Sequence, residues 1–156
     1  DLHLSIRRQR QMCIRDRSYN AQMPQGLPLL KPPYSRITAI DMNTGDHVWM
    51  VPLGNGDRVR NHPRLRDLDL PPVGDGTIAG PVLTKTLLIS SVPTGGPSGG
   101  PGLVAWDKQT GEIRGTVDLP TGPVGTPMTY MLDVRQNNAI TVRGEESSLM
   151  AFEKTK

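Results

Sequence analysis

Two stretches of this chain follow one pattern. "ITAIDMNTGDHVW", residues 37–49, is a short apolar run that breaks at Asp, Asn, Thr and Gly, restarts, and stops on a tryptophan. "LVAWDKQTGEIR", residues 103–114, does the same. Aligning Ala39 with Ala105 pairs Asp41 with Asp107, Thr44 with Thr110 and Gly45 with Gly111, four identities in seven columns. Asp or Asn can open a turn by bonding its own backbone, and Gly supplies the positive φ that other residues resist. Each copy therefore reads as two antiparallel strands and their turn, and the recurrence implies a structural unit used more than once.

Spacing turns the hairpin into an architecture. Further strand signals fall at Gly80 to Thr84, Leu87 to Val92, "VGTPMTYML", "NNAITV" and "SLMAF", with no convincing amphipathic helix among them. Ala39 and Ala105 are 66 residues apart, a separation that includes the long polar connection at 54–76, and Ala105 and Ala151 are 46 apart. Four short strands per unit of ~40–50 residues are the mark of propeller blades. The expected fold is all-β: the last two strands of one blade, a whole second blade and three strands of a third, about two and a half blades.

Composition agrees. Gly and Pro contribute 32 of 156 residues and aromatics only 4%, so the chain is rich in turns and poor in bulky core residues. No apolar run approaches the ~18 residues that span a bilayer, and no secretory signal opens the sequence. The net charge of +3 is local: residues 1–17 hold five Arg and two Asp, and the remainder carries thirteen basic and thirteen acidic side chains. Nucleic acid is thus not an expected partner of the body of the chain. The single cysteine, Cys13, excludes an internal disulfide.

Residues 1–17 stand apart. "IRRQRQMCIRDR" has neither helical nor strand period and resembles the conceptual translation of sequencing-adapter DNA. It is set aside as non-native, which would make the chain a truncated reading frame; a basic arm for nucleic acid or anionic lipid, or a disordered tail, are the other readings. Residues 18–35, with four prolines, form an extended lead-in, and residues 36–156 carry the blades.

The motifs then resemble a known family. "AIDMNTGDHVW" resembles the tryptophan-docking motif of pyrroloquinoline quinone-dependent dehydrogenases, whose eight blades repeat Ala, Asp, Thr-Gly and Trp on their outer strands. "GTPMTYMLDVRQNNAITV" looks like the final-blade segment of these quinoproteins, while "GLPLLKPPYSRITAIDMNTG" and "RVRNHPRLRDLDLPP" are similar to the C-terminal part of the glucose-dehydrogenase-like branch. The resemblance covers residues 24–153. It implies that Trp49 stacks between neighbouring blades beside the Gly of the adjacent turn. The second copy departs from the pattern, with Gly115 in the place of Trp, so that junction should be weaker or packed differently. Asn137 and Asn138 replace the usual aromatic-apolar pair after Gln136, and Arg143-Gly144-Glu145 replaces a Gly-rich turn.

The same resemblance implies a periplasmic bacterial oxidoreductase that oxidises a sugar or alcohol with the quinone beside a calcium ion and passes electrons to a quinone or cytochrome acceptor. The general base and calcium ligands belong to earlier blades of that family, so no catalytic, cofactor-binding or metal-ligating residue is assigned here. An isolated chain of this kind would be inactive and would need its missing blades as partners. The alternative function is a non-catalytic propeller-repeat scaffold, because a fold does not fix a function.

Sharper ideas fail on spacing. "DMNTGD" offers oxygen donors at Asp41, Asn43 and Asp46, but Gly45 is fifth rather than sixth and no Glu stands at position twelve, as a calcium loop requires. "TGGPSGGPG" lacks Gly-Lys-Ser/Thr, and Pro97 and Pro101 remove backbone donors, so it reads as a flexible loop and not a phosphate cradle. His3, His47 and His62 are isolated and read as surface residues. Asp41 and Asp107 sit on different blades and form no acid/base pair. Met128 and Tyr130 alternate as strand residues do and are expected in the core.

Overall fold

The computed structural model describes residues 23–75, 80–133, 135–143 and 148–153. His3 and Cys13 lie outside them. The chain divides after Lys31 into two units, Asp1–Lys31 and Pro32–Lys156. In the first, a tight turn closes where the Met23 N–H donates to the Leu27 carbonyl at 2.8 Å and the Gly26 N–H to the Met23 carbonyl at 3.0 Å.

Among its described residues, the second unit contains nine strands in three antiparallel sheets. Strands β1 (Arg36–Ile40) and β2 (His47–Pro52) form the first sheet. β3 (Val82–Leu83), β4 (Leu87–Val92), β5 (Gly102–Asp107) and β6 (Ile113–Asp118) form the second, in chain order. β7 (Pro123–Leu132), β8 (Arg135–Val142) and β9 (Ser148–Glu153) form the third. The division into two, four and three strands is the one expected from the spacing of the motifs. Each strand pairs with its neighbour in sequence, so every sheet is a meander built from hairpins.

The middle sheet explains how the core is made. Side chains alternate across a strand, and here both faces are covered. From β4 and β5, Val92, Val104 and Trp106 pack with Leu53 against Ile37 and Val51 of the first sheet. Ile89 and Leu103 of the same strands pack the other way, onto Ile140 and Val142 of β8, with Met150 and Phe152 of β9 against them. A sheet buried on both faces needs continuous apolar strands, and "LLIS" and "LVAW" supply them. Completely burying a Val or Ile contributes about 1.5–3 kcal/mol, and Val92 and Ile140 are each 1% exposed. β6, by contrast, is exposed along its whole length.

β7 corrects one expectation. Met128 is exposed and Tyr130 only half-buried, while Pro127 is buried. The register shifts between Val124 and Met128 as β7 runs along β8. Such an irregularity adds unpaired residues to one strand and re-aims those that follow, so simple alternation misplaces Met128.

The connection at 54–76 contains α1 (Asp57–Arg60), a single turn of helix that sequence periodicity did not register. It enters through Gly56 at φ 76, buries Val59, and holds Arg60 so that its Nε donates to the Leu70 carbonyl at 2.9 Å. The loop returns to its starting point. Val73 donates to the Asn55 carbonyl at 3.0 Å, Asp75 to the Leu53 carbonyl at 2.8 Å, and Tyr34 to the Val73 carbonyl at 2.8 Å. Entry and exit of the loop are thereby stitched to the lead into β1.

Candidate functional site

The repeated sequence pattern is a repeated set of bonds. In the first turn the Asn43 N–H donates to Asp41 Oδ1 at 2.8 Å, the Gly45 N–H to the Asp41 carbonyl at 2.7 Å, and the Asp46 N–H to Thr44 Oγ1 at 3.2 Å. In the second, Gln109 donates to Asp107 Oδ1 at 2.9 Å, Gly111 to the Asp107 carbonyl at 2.8 Å, and Glu112 to Thr110 Oγ1 at 3.3 Å. The register shift is shared too, between Ala39 and Ile40 and between Ala105 and Trp106. Asp and Thr are present in both copies because each side-chain oxygen satisfies a turn N–H two residues on.

Arg114 adds a clamp to the second turn, with Nε and Nη2 at 3.2 and 3.0 Å from Asp107 Oδ2. The backbone N–H of Gln109 and the Arg114 guanidinium together hold the Asp107 carboxyl below the usual carboxylate range. Both oxygens of Asp107 are therefore engaged in the turn.

Trp49 links this turn to the first sheet. Its Nε1 donates to the Lys108 carbonyl at 3.1 Å, and its ring lies on Gly111. A Cβ at Gly111 would come within 2.8 Å of Trp49 Cδ2 and 2.9 Å of Cε3, and Gly111 has φ +75. Only glycine meets both demands here: it leaves room for the indole and adopts the left-handed backbone freely. The residue that ends the opening motif is thus a fastener between two sheets.

The second junction lacks this fastener. Gly115 lies opposite Ala105, as Trp49 lies opposite Ala39, and nothing stands within 4 Å of a Cβ built there. Beside it runs a groove of about 290 Å³ between β6 and the third sheet, floored by Ile89, Leu103 and Phe152 and walled by Gln136 and Asn138. Asn138 Oδ1 is shielded from water, and among the described residues no group donates to it.

The other sequence candidates are placed as follows. His47 is exposed, and His62 is half-buried in the long loop, where its Nδ1 accepts from the Arg64 N–H at 3.3 Å. The loop expected to be flexible, 93–102, is instead tied down: the N–H and hydroxyl of Ser98 both donate to Asp118 Oδ1, at 3.0 and 2.8 Å, and Gly96 donates to the Gly100 carbonyl at 2.9 Å. Sequence reasoning missed Asp118, whose partner lies 20 residues away. It also missed Asp75, which accepts from the Thr94 hydroxyl at the neck of the long loop. Among the described residues no group of three or more His, Cys, Asp or Glu could hold a metal ion, and the oxygens around Asp41 serve their own turn. The described donors do not fit a calcium site.

Comparison with known proteins settles the family. The family model for the glucose/ethanol/alcohol dehydrogenase β-propeller domain, a pyrroloquinoline quinone domain, matches residues 3–137. The chain belongs to this family of quinoprotein dehydrogenases. It is 36% identical over 106 residues to the quinate/shikimate dehydrogenase (quinone) of Acinetobacter baylyi, an alignment covering 68% of this chain and 12% of that protein. It is 35% identical over 121 residues to the glycerol dehydrogenase large subunit of Gluconobacter thailandicus, covering 76% of this chain and 16% of the relative. The quinoprotein chain thus spans well under a fifth of the length of these curated relatives. The matched span begins inside residues 1–17 and ends within β8. No helix among the described residues is long and apolar enough to cross a membrane.

Proposed function

We propose that this chain is a C-terminal piece of a periplasmic quinoprotein dehydrogenase that oxidises a sugar or alcohol, and that it supplies blades to an eight-bladed ring rather than chemistry. The observation that carries the reading is the family match over residues 3–137 in a chain that covers 12–16% of its relatives. In the whole enzyme the quinone would accept a hydride equivalent beside a calcium ion, with the general base and metal ligands on other blades. The names of the relatives favour a polyhydroxylated substrate, quinate or glycerol in kind, and a quinone as electron acceptor.

The part played by the present residues is mechanical. Trp49 on Gly111 is read as the family's docking motif, fixing the angle between two sheets and so the shape of any central site they surround. A chain alone, with three sheets, encloses no such site and would be inactive.

The test begins with the genomic DNA upstream of Ser18, because residues 3–17 fall both within the family match and within the stretch read as foreign. Continuous coding into further blades with an Asp base and calcium ligands supports the proposal. The complete gene product should then oxidise quinate or glycerol in a calcium- and quinone-dependent dye-reduction assay. A genuine start at residues 1–17 with no blades before it overturns the enzyme reading in favour of a scaffold.

A further inference from the structure

One strand of each sheet repeats the same division of faces. The offset of 66 residues that aligns Ala39 with Ala105, and the offset of 46 that aligns Ala105 with Ala151, bring β1, β5 and β9 into register. Leu103 and Ala105 of β5 turn forward, into one cluster with Met150 and Phe152 of β9. Val104 and Trp106 turn back, into one cluster with Ile37 of β1. By the offsets, Ile37 is the counterpart of Leu103, and Met150 and Phe152 are the counterparts of Val104 and Trp106. Both junctions therefore follow a single rule, in which the forward residues of one sheet cover the backward residues of the next.

The rule leaves two faces over. Leu149 and Ala151 are the forward pair of β9, and Thr38 and Ile40 are the backward pair of β1; among the described residues no sheet lies beyond either. Leu149, Ala151 and Ile40 are exposed, although their counterparts Leu103 and Trp106 are buried in the middle sheet. Residues directly opposite one another on paired strands share a face. Met128, opposite Ala139, which is itself opposite Ala151, thus joins the forward face, and Met50, opposite Thr38, joins the backward one. Both methionines are exposed. The two ends of the stack are apolar, and each is of the kind that the other kind covers inside the chain.

We propose that the forward face of the third sheet is a docking site for the first sheet of a second copy of this chain, with Leu149 and Ala151 against Thr38 and Ile40. Copies then stack head to tail through the same junction that holds the three sheets of one chain together. Such a contact joins unlike surfaces, so it leaves a free face at each end and continues into a ring or an open row. It lacks the indole fastener: nothing stands within 4 Å of a Cβ built on Gly45, the counterpart of Gly111, and among the described residues the third sheet has no fourth strand to bring a tryptophan there. The contact is accordingly weaker than the junctions within the chain and depends on concentration. It does not rest on the catalytic reading of the parent protein.

The experiment is sedimentation of the full chain and of two variants, Ile40→Lys and Leu149→Lys, each alone and mixed in equal amounts. The unaltered chain should grow in mass across the micromolar to millimolar range. Each variant alone keeps only one working face and should remain a monomer. The mixture should form a one-to-one dimer and stop there, because the intact forward face of Ile40→Lys meets the intact backward face of Leu149→Lys. Met50→Lys and Ala151→Lys, on the same two faces, serve if either of the first variants does not fold. Pairing of like surfaces, such as one β9 edge with another, would instead leave Ile40→Lys associating as the unaltered chain does. That result, a monomeric unaltered chain throughout the range, or a mixture that stays monomeric would each overturn the proposal.

Discussion

Gly111 shows how much one residue can be made to carry. It supplies a left-handed turn and the flat surface on which Trp49 lies. Gly111→Ala puts a methyl into the indole at a position where alanine is already strained, so a loss of about 2–4 kcal/mol is expected, read as a lower denaturant midpoint with a red-shifted tryptophan emission. Asp107 makes a different prediction, through pH. Its carboxyl is held below the usual range by the Gln109 N–H and by Arg114. A depressed folded-state pKa contributes stability that is present above the unfolded value and lost as pH falls through the folded one. The window therefore lies below about pH 4. Asp107→Asn keeps the acceptor for the turn but not the charge, so its cost at pH 7 should shrink progressively as pH falls below about 4, when the two proteins are unfolded by denaturant across that range.

Among the elements, the long connection between β2 and β3 is the least regular and yet firmly anchored. Gly74 (φ +82) passes so close to Ser35 that a Cβ would lie 2.2 Å from its carbonyl oxygen and 2.7 Å from its nitrogen. Backbone cannot yield as a side chain can. Gly74→Ala should pull the loop away from the lead into β1, and the amides of Tyr34 and Asp75 should exchange with deuterium far faster while those of β4 and β5 keep their protection. The strands themselves were legible in the sequence because they obey local rules: apolar runs, turn chemistry and a recurring interval. What escaped was non-local or short. α1 is one turn long, beneath the reach of periodicity, and the ties of Asp118 to Ser98 and of Thr94 to Asp75 join residues that nothing in the local pattern connects. The register shift in β7 defeated the alternation argument for Met128. Trp49 and Gly111 were legible only through family resemblance, since spacing alone does not say which tryptophan meets which glycine. The groove beside Gly115 was foreshadowed by the missing Trp, but the shielded Asn138 oxygen required coordinates.

At the scale of the molecule, three sheets stacked face to face bury the middle one twice and leave the outer ones half-covered. Among the described residues β9 pairs on one side only, and Leu149 on it is 63% exposed. An edge of this kind recruits another strand. The chain should therefore self-associate as concentration rises, seen as growing sedimentation coefficients, and Leu149→Lys should hold it at lower mass without loss of folded structure. Failure of the unaltered chain to associate at high concentration would mean that the edge is protected by some other part of it.

The fastener between the first two sheets also has a history during synthesis. The strands of each sheet are neighbours in sequence, so each sheet can assemble as it leaves the ribosome, but Trp49 must meet a carbonyl made 59 residues later. At roughly 5–20 residues per second that is a wait of about 3–12 s, during which a large aromatic ring stands uncovered on a nascent chain. Birth order thus gives this protein a brief interval in which a chaperone, or a neighbouring nascent copy, can reach the indole before its own turn does.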